Sequence, residues 1–301
     1  MNYEKLRTTK RQFKDLTSLS VSDFDILLPL FTREWEDYIT HFTLDGLPRV
    51  YPYEAKNQEQ LPTAESKLFF ILFYKKIHCI QPALAAIFDL DVGMANRWIH
   101  ILTPILEKSL TDYKVKEDLS EVDFSTVEEA IIDGTERPIQ RNTYHQGDTY
   151  SGKKKTHTVK NLLIVSTLGV ILWLGQTVAG KIHDKKLAQQ LEFNQCVLHT
   201  GGIPLLADLA FLAWKPQNVK LILPHKKPRN TKTEKKYLTQ QQKDENQQLS
   251  SRRVKVENVL AHIKILRIVK ERNRNYKVGF RATIIRIACA LHNFKNAQKI
   301  A

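Results

Sequence analysis

Near residue 121 the apolar residues change their spacing, and that change limits what the chain can fold into. Upstream, they recur at helical intervals. Downstream, they gather into short runs rich in β-branched side chains, separated by turns and a helix. The upstream part reads as follows. An amphipathic stretch, Phe24–Phe42, follows Ser20, Ser22 and Asp23, which suit a helix N-cap. Residues 43–62, with four Gly or Pro punctuation points, read as a loop. Thr63-Ala-Glu-Ser66 carries capping chemistry and leads into a helix over Lys67–Ile77. Pro82–Phe88 is a short helix with proline in its first turn. Asp89-Leu-Asp91 turns the chain into a third helix, Val92–Leu106.

The last two helices have the proportions of a helix-turn-helix. Ala85, Leu90, Ala95 and Ile99 stand where such a unit needs small or apolar packing residues, and Asn96, Arg97 and His100 are the candidates to face a groove. Any helical bundle also contains short helices joined by turns, so both readings stand at this point.

Downstream, Val127–Ile132 is expected as a strand ending in Asp133. Val159–Thr167 and Val170–Val178 form a hairpin about Leu168-Gly169, and Lys185–Leu198 a helix opened by His183-Asp184. Ile203–Ala207 and Val219–Leu223 are further strands. Residues 225–249 are basic, rich in Gln and expected to be mobile, and a long helix covers Ser250–Ile268. Strand, hairpin, helix, strand, strand, helix is the order of an α/β fold of the ribonuclease-H kind, a mixed sheet between helices. The expected divisions are a helical segment and loop over 1–60, an all-α helix-turn-helix region over 61–120, and a catalytic domain over 121–301.

Charge divides the chain as sharply as periodicity does. Residues 1–120 hold 15 Lys/Arg against 17 Asp/Glu, whereas residues 121–301 hold 31 against 15. The basic excess clusters in Lys153, Lys154 and Lys155, in Lys226–Lys236 and in Arg252–Arg286, which points to a polyanion such as nucleic acid. The near-neutral segment 1–120 weighs against groove reading by its helices. Cys79, Cys196 and Cys289 are too far apart for a zinc site or a disulfide framework, and read as thiols of a reducing compartment. The N-terminus lacks a signal-peptide core, and Asn161–Gly180 is too interrupted to span a membrane. A cytoplasmic protein is expected.

Three acids share an unusual context. Asp133 and Asp208 each end an apolar run, and Glu257 lies on the long helix, flanked by Arg253 and Lys264. Carboxylates at two strand ends and on one helix can converge on divalent cations, and beside so much positive charge the natural substrate is a phosphodiester. Each acid also has a plainer reading. Asp133-Gly134 is a common turn pair, Glu257 has an i−4 partner in Arg253, and Asp184 suits a helix N-cap. Asp208 within an apolar run needs a partner of some kind.

The segments Ile131-Ile-Asp-Gly-Thr135, Gly180-Lys-Ile-His-Asp184, Leu206-Ala-Asp208 and Ser251-Arg-Arg-Val-Lys-Val-Glu257 resemble those of DDE superfamily transposases. The bacterial insertion-sequence family five, related to PIF/Harbinger elements, is the nearest in pattern. Gly152-Lys-Lys-Lys-Thr-His157 and Lys264 strengthen the resemblance, which covers roughly residues 60–295. It implies Asp133, Asp208 and Glu257 as catalytic ligands of two Mg²⁺ ions, with Mn²⁺ as a substitute. It implies cleavage of element ends and joining of 3′-hydroxyls to target DNA. Arg253 and Lys264 become DNA contacts near the scissile phosphate, and residues 61–106 the reader of terminal repeats. The implied partners are double-stranded DNA and a second protomer on paired ends, in a bacterial host. The chain departs from the family in having Leu209-Ala210-Phe211, where a Gly and an aromatic are usual, and Ser250, where Tyr is frequent. The alternatives are a transposase-derived DNA-binding protein without activity, and a structure-specific nuclease of the same fold.

Overall fold

The computed structural model describes residues 3–53, 60–141, 146–193, 202–228, 237–277 and 279–300. The chain divides into two compact units, one made of residues 1–114 with 263–301 and the other of residues 115–262. These differ from the divisions read from sequence. The C-terminal residues join the helical unit, and the sheet unit begins six residues earlier than expected. Its second residue, Lys116, bonds to the sheet through Lys116 N to Leu172 O (3.3 Å) and Leu174 N to Lys116 O (2.9 Å).

The helical unit comprises α1 (Tyr3–Thr8), α2 (Lys10–Thr17), α3 (Val21–His41), α4 (Ala64–Ile77), α5 (Gln81–Phe88), α6 (Val92–Ser109), α9 (Arg267–Lys270) and α10 (Phe280–Ile300). Capping boxes open α3 and α4. Ser20 Oγ accepts from Asp23 N while Asp23 accepts from Ser20 N, and Thr63 and Ser66 exchange the same pair of bonds at 3.1 Å each. Each such box satisfies two amides that a helix leaves orphaned. Every residue of α4 from Lys67 to Lys75 is buried, because α2, α3, α6 and α9 surround it. Aromatic pairs fill the space, including Phe13–Phe24 (5.3 Å), Phe70–Phe88 (4.9 Å) and Tyr113–Phe294 (5.0 Å).

Two lysines lie inside this core. Lys67 Nζ sits over the rings of Trp35 (4.7 Å) and Trp98 (5.3 Å) and donates to Leu61 O. Lys75 Nζ donates to Thr103 Oγ1 at 2.8 Å, and burial pulls its pKa down to about 7. The expected short helix, turn and longer helix are present as α5 and α6. The turn is closed by Asp89 at φ 54° and Leu90 N bonding to Ala85 O (2.9 Å). Ala85, Ala95 and Ile99 are buried, and Leu90 is half-buried. α10 was not anticipated from sequence. It packs on α6, with Arg286 ion-paired to Glu107.

The sheet unit contains β1 (Ala130–Pro138), β2 (Tyr150–Ser151), β3 (Thr156–Ser166), β4 (Ile171–Leu174), β5 (Val178–Ala179), α7 (Asp184–Ala188), β6 (Ile203–Leu206), β7 (Val219–Ile222) and α8 (Gln240–Ile263). The sheet is mixed and ordered β2-β3-β1-β6-β7, with β4 and β5 also paired to β3. β1 runs antiparallel to β3 and parallel to β6, and β6 runs parallel to β7. This is the expected α/β arrangement of the ribonuclease-H kind. The β3–β4 hairpin turns where expected, with Gly169 at φ +79° supplying the left-handed residue of a three-residue loop. The second hairpin strand is shorter than read and is split into β4 and β5.

Alternation along the strands sorts the two faces. Ala130, Ile132, Leu162, Ile164, Leu205 and Ala207 share one face and build a core with Phe193, Phe211, Trp214 and the apolar side of α7. Ile131, Leu163, Val165 and Leu206 are buried on the other face. Among the described residues, no helix is long and apolar enough to cross a membrane.

Candidate active site

Asp133 lies in the middle of β1, not at its end. The strand starts at Ala130 and continues five residues past Asp133, so Asp133-Gly134 is not a turn. The continuation exists because Thr135–Pro138 pair in register with Thr158–Asn161 of β3, a long-range partnership that a local reading does not contain. In the parallel register, Ala130 faces Leu205 and Ile131 faces Leu206. Asp133 and Asp208 each stand two residues past the paired stretch, and they are near enough for the Asp208 charge to act on the Asp133 carboxyl. Both side chains leave the sheet on the face opposite the Phe211 core, because both stand one residue on from members of that core.

The two acids have different environments. Asp208 is half-buried, and its Oδ1 caps the helical turn Leu209–Phe211 by accepting from Ala210 N at 2.8 Å. Leu209 does not have a positive φ, so this position accepts an L-residue without strain. Phe211 is fully buried and anchors the turn. Asp133 accepts at 2.7 Å from the backbone N–H of Gly134. Burial pushes its carboxyl up to about 6. The Gly134 N–H opposes the rise, the Asp208 charge adds to it, the Arg253 guanidinium opposes it, and the Asp184 charge adds to it again.

Two carboxylates side by side, one of them well buried, are a costly arrangement for a protein without a counter-ion. Arg253, on α8, is the cation that Asp133 feels, and its buried Nε has no hydrogen-bond partner among the described residues. Buried Thr135 Oγ1, two residues along β1 on the same face, is likewise unbonded. An all-oxygen donor pair with excess negative charge suits a hard divalent cation.

Not all the expected residues come together. Glu257 is exposed on α8, one turn beyond Arg253, while Val256 and Val259 are buried. Among the described residues, no three His, Cys, Asp or Glu side chains stand close enough to hold a metal ion. α8 ends at Ile263, so Lys264, expected on the same long helix as Arg253 and Glu257, lies off it and in the helical unit. α8 also begins ten residues earlier than read, taking up much of the stretch expected to be mobile. The helix expected over Lys185–Leu198 is the short α7, with residues 194–198 outside the described residues. Asp184 is the first residue of α7, and His183 is its cap.

Lys153, Lys154 and Lys155 are exposed on the turn between β2 and β3. Arg97 is exposed and ion-paired with Asp45 at 2.9 Å, and Asn96 is half-buried. His100 is turned to packing rather than outward, its ring 5.7 Å from that of Phe280. Arg274, within the expected basic cluster, donates to His78 O at 2.9 Å.

The family model for the DDE superfamily endonuclease matches residues 132–293, a span that contains both strand acids and α8. The chain belongs to the DDE superfamily endonucleases. The family generally uses divalent metal ions. A curated relative, the probable transposase for insertion sequence element IS702 of Microchaete diplosiphon, is 30% identical over 172 residues, covering 56% of this chain and 58% of the relative. The chain thus spans little more than half the length of that relative. No solved structure matches the chain significantly.

Sequence reading missed two charged members of this region, Lys160 and Glu136. The signal was present: Lys160 interrupts the apolar run of β3, and a charge inside a buried strand requires a partner.

Proposed function

We infer that this DDE endonuclease is an insertion-sequence transposase that cleaves DNA at the ends of its element and joins the freed 3′-hydroxyls to a target. The observation that supports this reading best is the Asp133–Asp208 pair, two acids that follow neighbouring parallel strands and act on each other, with the Arg253 guanidinium opposing the charge on Asp133. The two carboxylates would hold divalent cations, Mg²⁺ by preference and Mn²⁺ as a substitute, which would supply activation of the attacking water or 3′-hydroxyl and stabilisation of charge on the leaving oxygen.

Asp133, its orientation set by the Gly134 N–H, is the central ligand, and Asp208 is held in place by its own capping bond. Glu257, on α8, would be the third ligand. Arg253, whose charge opposes that of Asp133, would also contact the scissile phosphate. Lys153–Lys155 bind the flanking backbone.

The helical unit supports duplex binding better than its N-terminal segment suggests. With residues 263–301 included it carries 24 Lys/Arg against 16 Asp/Glu, and the sheet unit carries 22 against 16. The basic excess is shared between the units, and the objection drawn from the near-neutral residues 1–120 falls away. α5 and α6 are the elements for terminal-repeat recognition, through Asn96 and Arg97, with Lys264 contributing a phosphate contact. Cleavage of two ends together calls for at least two protomers.

The exposure of Glu257 favours a second reading, a DNA-binding descendant that no longer cuts. One experiment separates them. Purified protein is incubated with Mg²⁺ and DNA carrying the gene and its native flanks, and nicking is mapped for wild type and Asp133→Asn. Matching nicks on both flanks, lost in the variant, support the transposase. Tight binding with no nicking by the wild type supports the second reading.

A further inference from the structure

The back of β1, behind Asp133, carries a buried charge cluster. Lys160 lies opposite Glu136 in the β1–β3 register, with its Nζ 3.4 Å from Glu136 Oε1. The same ammonium stands 2.9 Å from Asp184 Oδ1 and donates to Ile182 O at 2.8 Å. The Lys160 and Glu136 side chains are 8% and 9% exposed, and Thr158 Oγ1 donates to Glu136 Oε2 at 3.1 Å. One ammonium therefore gathers two carboxylates and a carbonyl, pinning the start of α7 to the sheet.

Asp184 Oδ1 is buried and within ion-pair distance of Lys160, but it lacks hydrogen-bond geometry. It lies against Gly134, where a Cβ would stand only 3.0 Å from that oxygen and 3.2 Å from Asp184 Cγ. The absence of a side chain at residue 134 is what lets the carboxylate rest on the β1 backbone. The Gly134 N–H in turn orients Asp133 by donating to its Oδ1 at 2.7 Å. The contacts form one line, from Lys160 to Asp184, to the Gly134 backbone, to the Asp133 carboxylate.

We propose that Lys160 and Asp184 are positioning residues for Asp133, fixing through Gly134 the rotamer in which that acid meets a cation. Neither touches substrate. Asp184 approaches β1 from the face opposite the one on which Asp133 projects, so it acts through the backbone and not as a ligand. A cluster with two carboxylates on one ammonium also places net negative charge behind Asp133, which favours a cation in front of it. Glycine at position 134 is part of the device, since any larger residue separates Asp184 from the strand.

The inference rests on Asp133 as a cation-holding acid, and the test includes a variant that examines that reading alone. Asp184→Asn keeps the shape of the side chain, and Gly134→Ala reaches the same contact from the other side. Mn²⁺ binding to the DNA-free protein is followed by electron paramagnetic resonance of the free ion. Nicking is measured against Mn²⁺ concentration, and DNA affinity is measured in chelator. Both variants are expected to weaken Mn²⁺ binding about tenfold and lower kcat, with metal-free DNA affinity within twofold of wild type. Folded variants that bind Mn²⁺ and turn over like wild type overturn the proposal, and lowered thermal stability alone also counts against it. Asp133→Asn serves as the reference. If it abolishes Mn²⁺ binding while the other two do not, only the positioning role fails. If it leaves binding and nicking intact, the assignment of Asp133 fails with it.

Discussion

The helical and sheet units bury charge in different company. Inside the helical unit, Lys67 lies over two indole rings and donates to a carbonyl, and Lys75 donates to a hydroxyl while the Glu107 charge opposes the effect of burial on its pKa. Inside the sheet unit, Asp133 is buried beside the charges of Asp208 and Asp184, with one guanidinium in opposition. A buried lysine costs a protein stability unless its partners offset the burial. A buried carboxylate beside other carboxylates is the kind of perturbed group that gathers at functional sites.

The comparison fails at once if Asp133 is only structural. On the proposed function, Asp133→Asn is expected to slow Mg²⁺-dependent nicking at least about a thousandfold, since it would remove a ligand of the cation that stabilises charge in the transition state. Gel mapping of nicked flanks measures this. The same substitution is expected to stabilise the metal-free protein. The folded pKa, about 6, lies above the unfolded value near 3.8, so the charged form is penalised in the fold. That penalty is absent below pH 3.8, grows as pH rises to 6, and is full above it. At pH 8 the gain is expected to be about 3 kcal/mol, read from urea melts in chelator.

Lys75 tests the other half. Its folded pKa of about 7 lies below the unfolded 10.5, so the wild type gains stability as pH rises from 7 to 10.5. Lys75→Met fills the same space without the charge. It is expected to gain roughly 3 kcal/mol at pH 7, after the lost bond to Thr103, and to lose the pH slope.

His78 sharpens the comparison on the acid side. Burial holds its pKa down to about 4, with Arg274 adding to the effect and Glu271 opposing it. The unfolded chain takes up a proton near pH 6.5 and the fold resists until about 4, so stability falls across that window by up to about 3 kcal/mol. His78→Asn, a residue that tolerates the φ of 54° here, should flatten that slope in pH-dependent melts.

The smallest effect is expected at the surface. Replacing Lys153, Lys154 and Lys155 by Ala is expected to reduce the slope of log affinity against log salt by about 2 to 3, measured by fluorescence anisotropy on duplex DNA.

Much of the fold was legible locally. The capping residues Ser20 and Thr63, the α5–α6 turn and the Gly169 hairpin each carry their cause within a few residues, and all appear where the residues place them. The extent of β1 was not legible, because its second half is held by β3. The early start of α8 was hidden by its polar Gln-rich composition, and α10 by a basic sequence whose apolar side packs on α6.

From the sequence alone came the order of the central helices and the sheet strands, the acids Asp133, Asp208 and Glu257 as candidates, and the basic clusters, since composition and spacing are local properties. Three matters depended on long-range pairing. The parallel register set Asp208 beside Asp133, the β1–β3 register put Lys160 against Glu136 and Asp184, and packing on α6 returned the basic C-terminus to the helical unit. Strand partners and faces are chosen by contacts between residues far apart in the chain. No window of sequence contains those contacts, and for that reason the tertiary structure had to decide them.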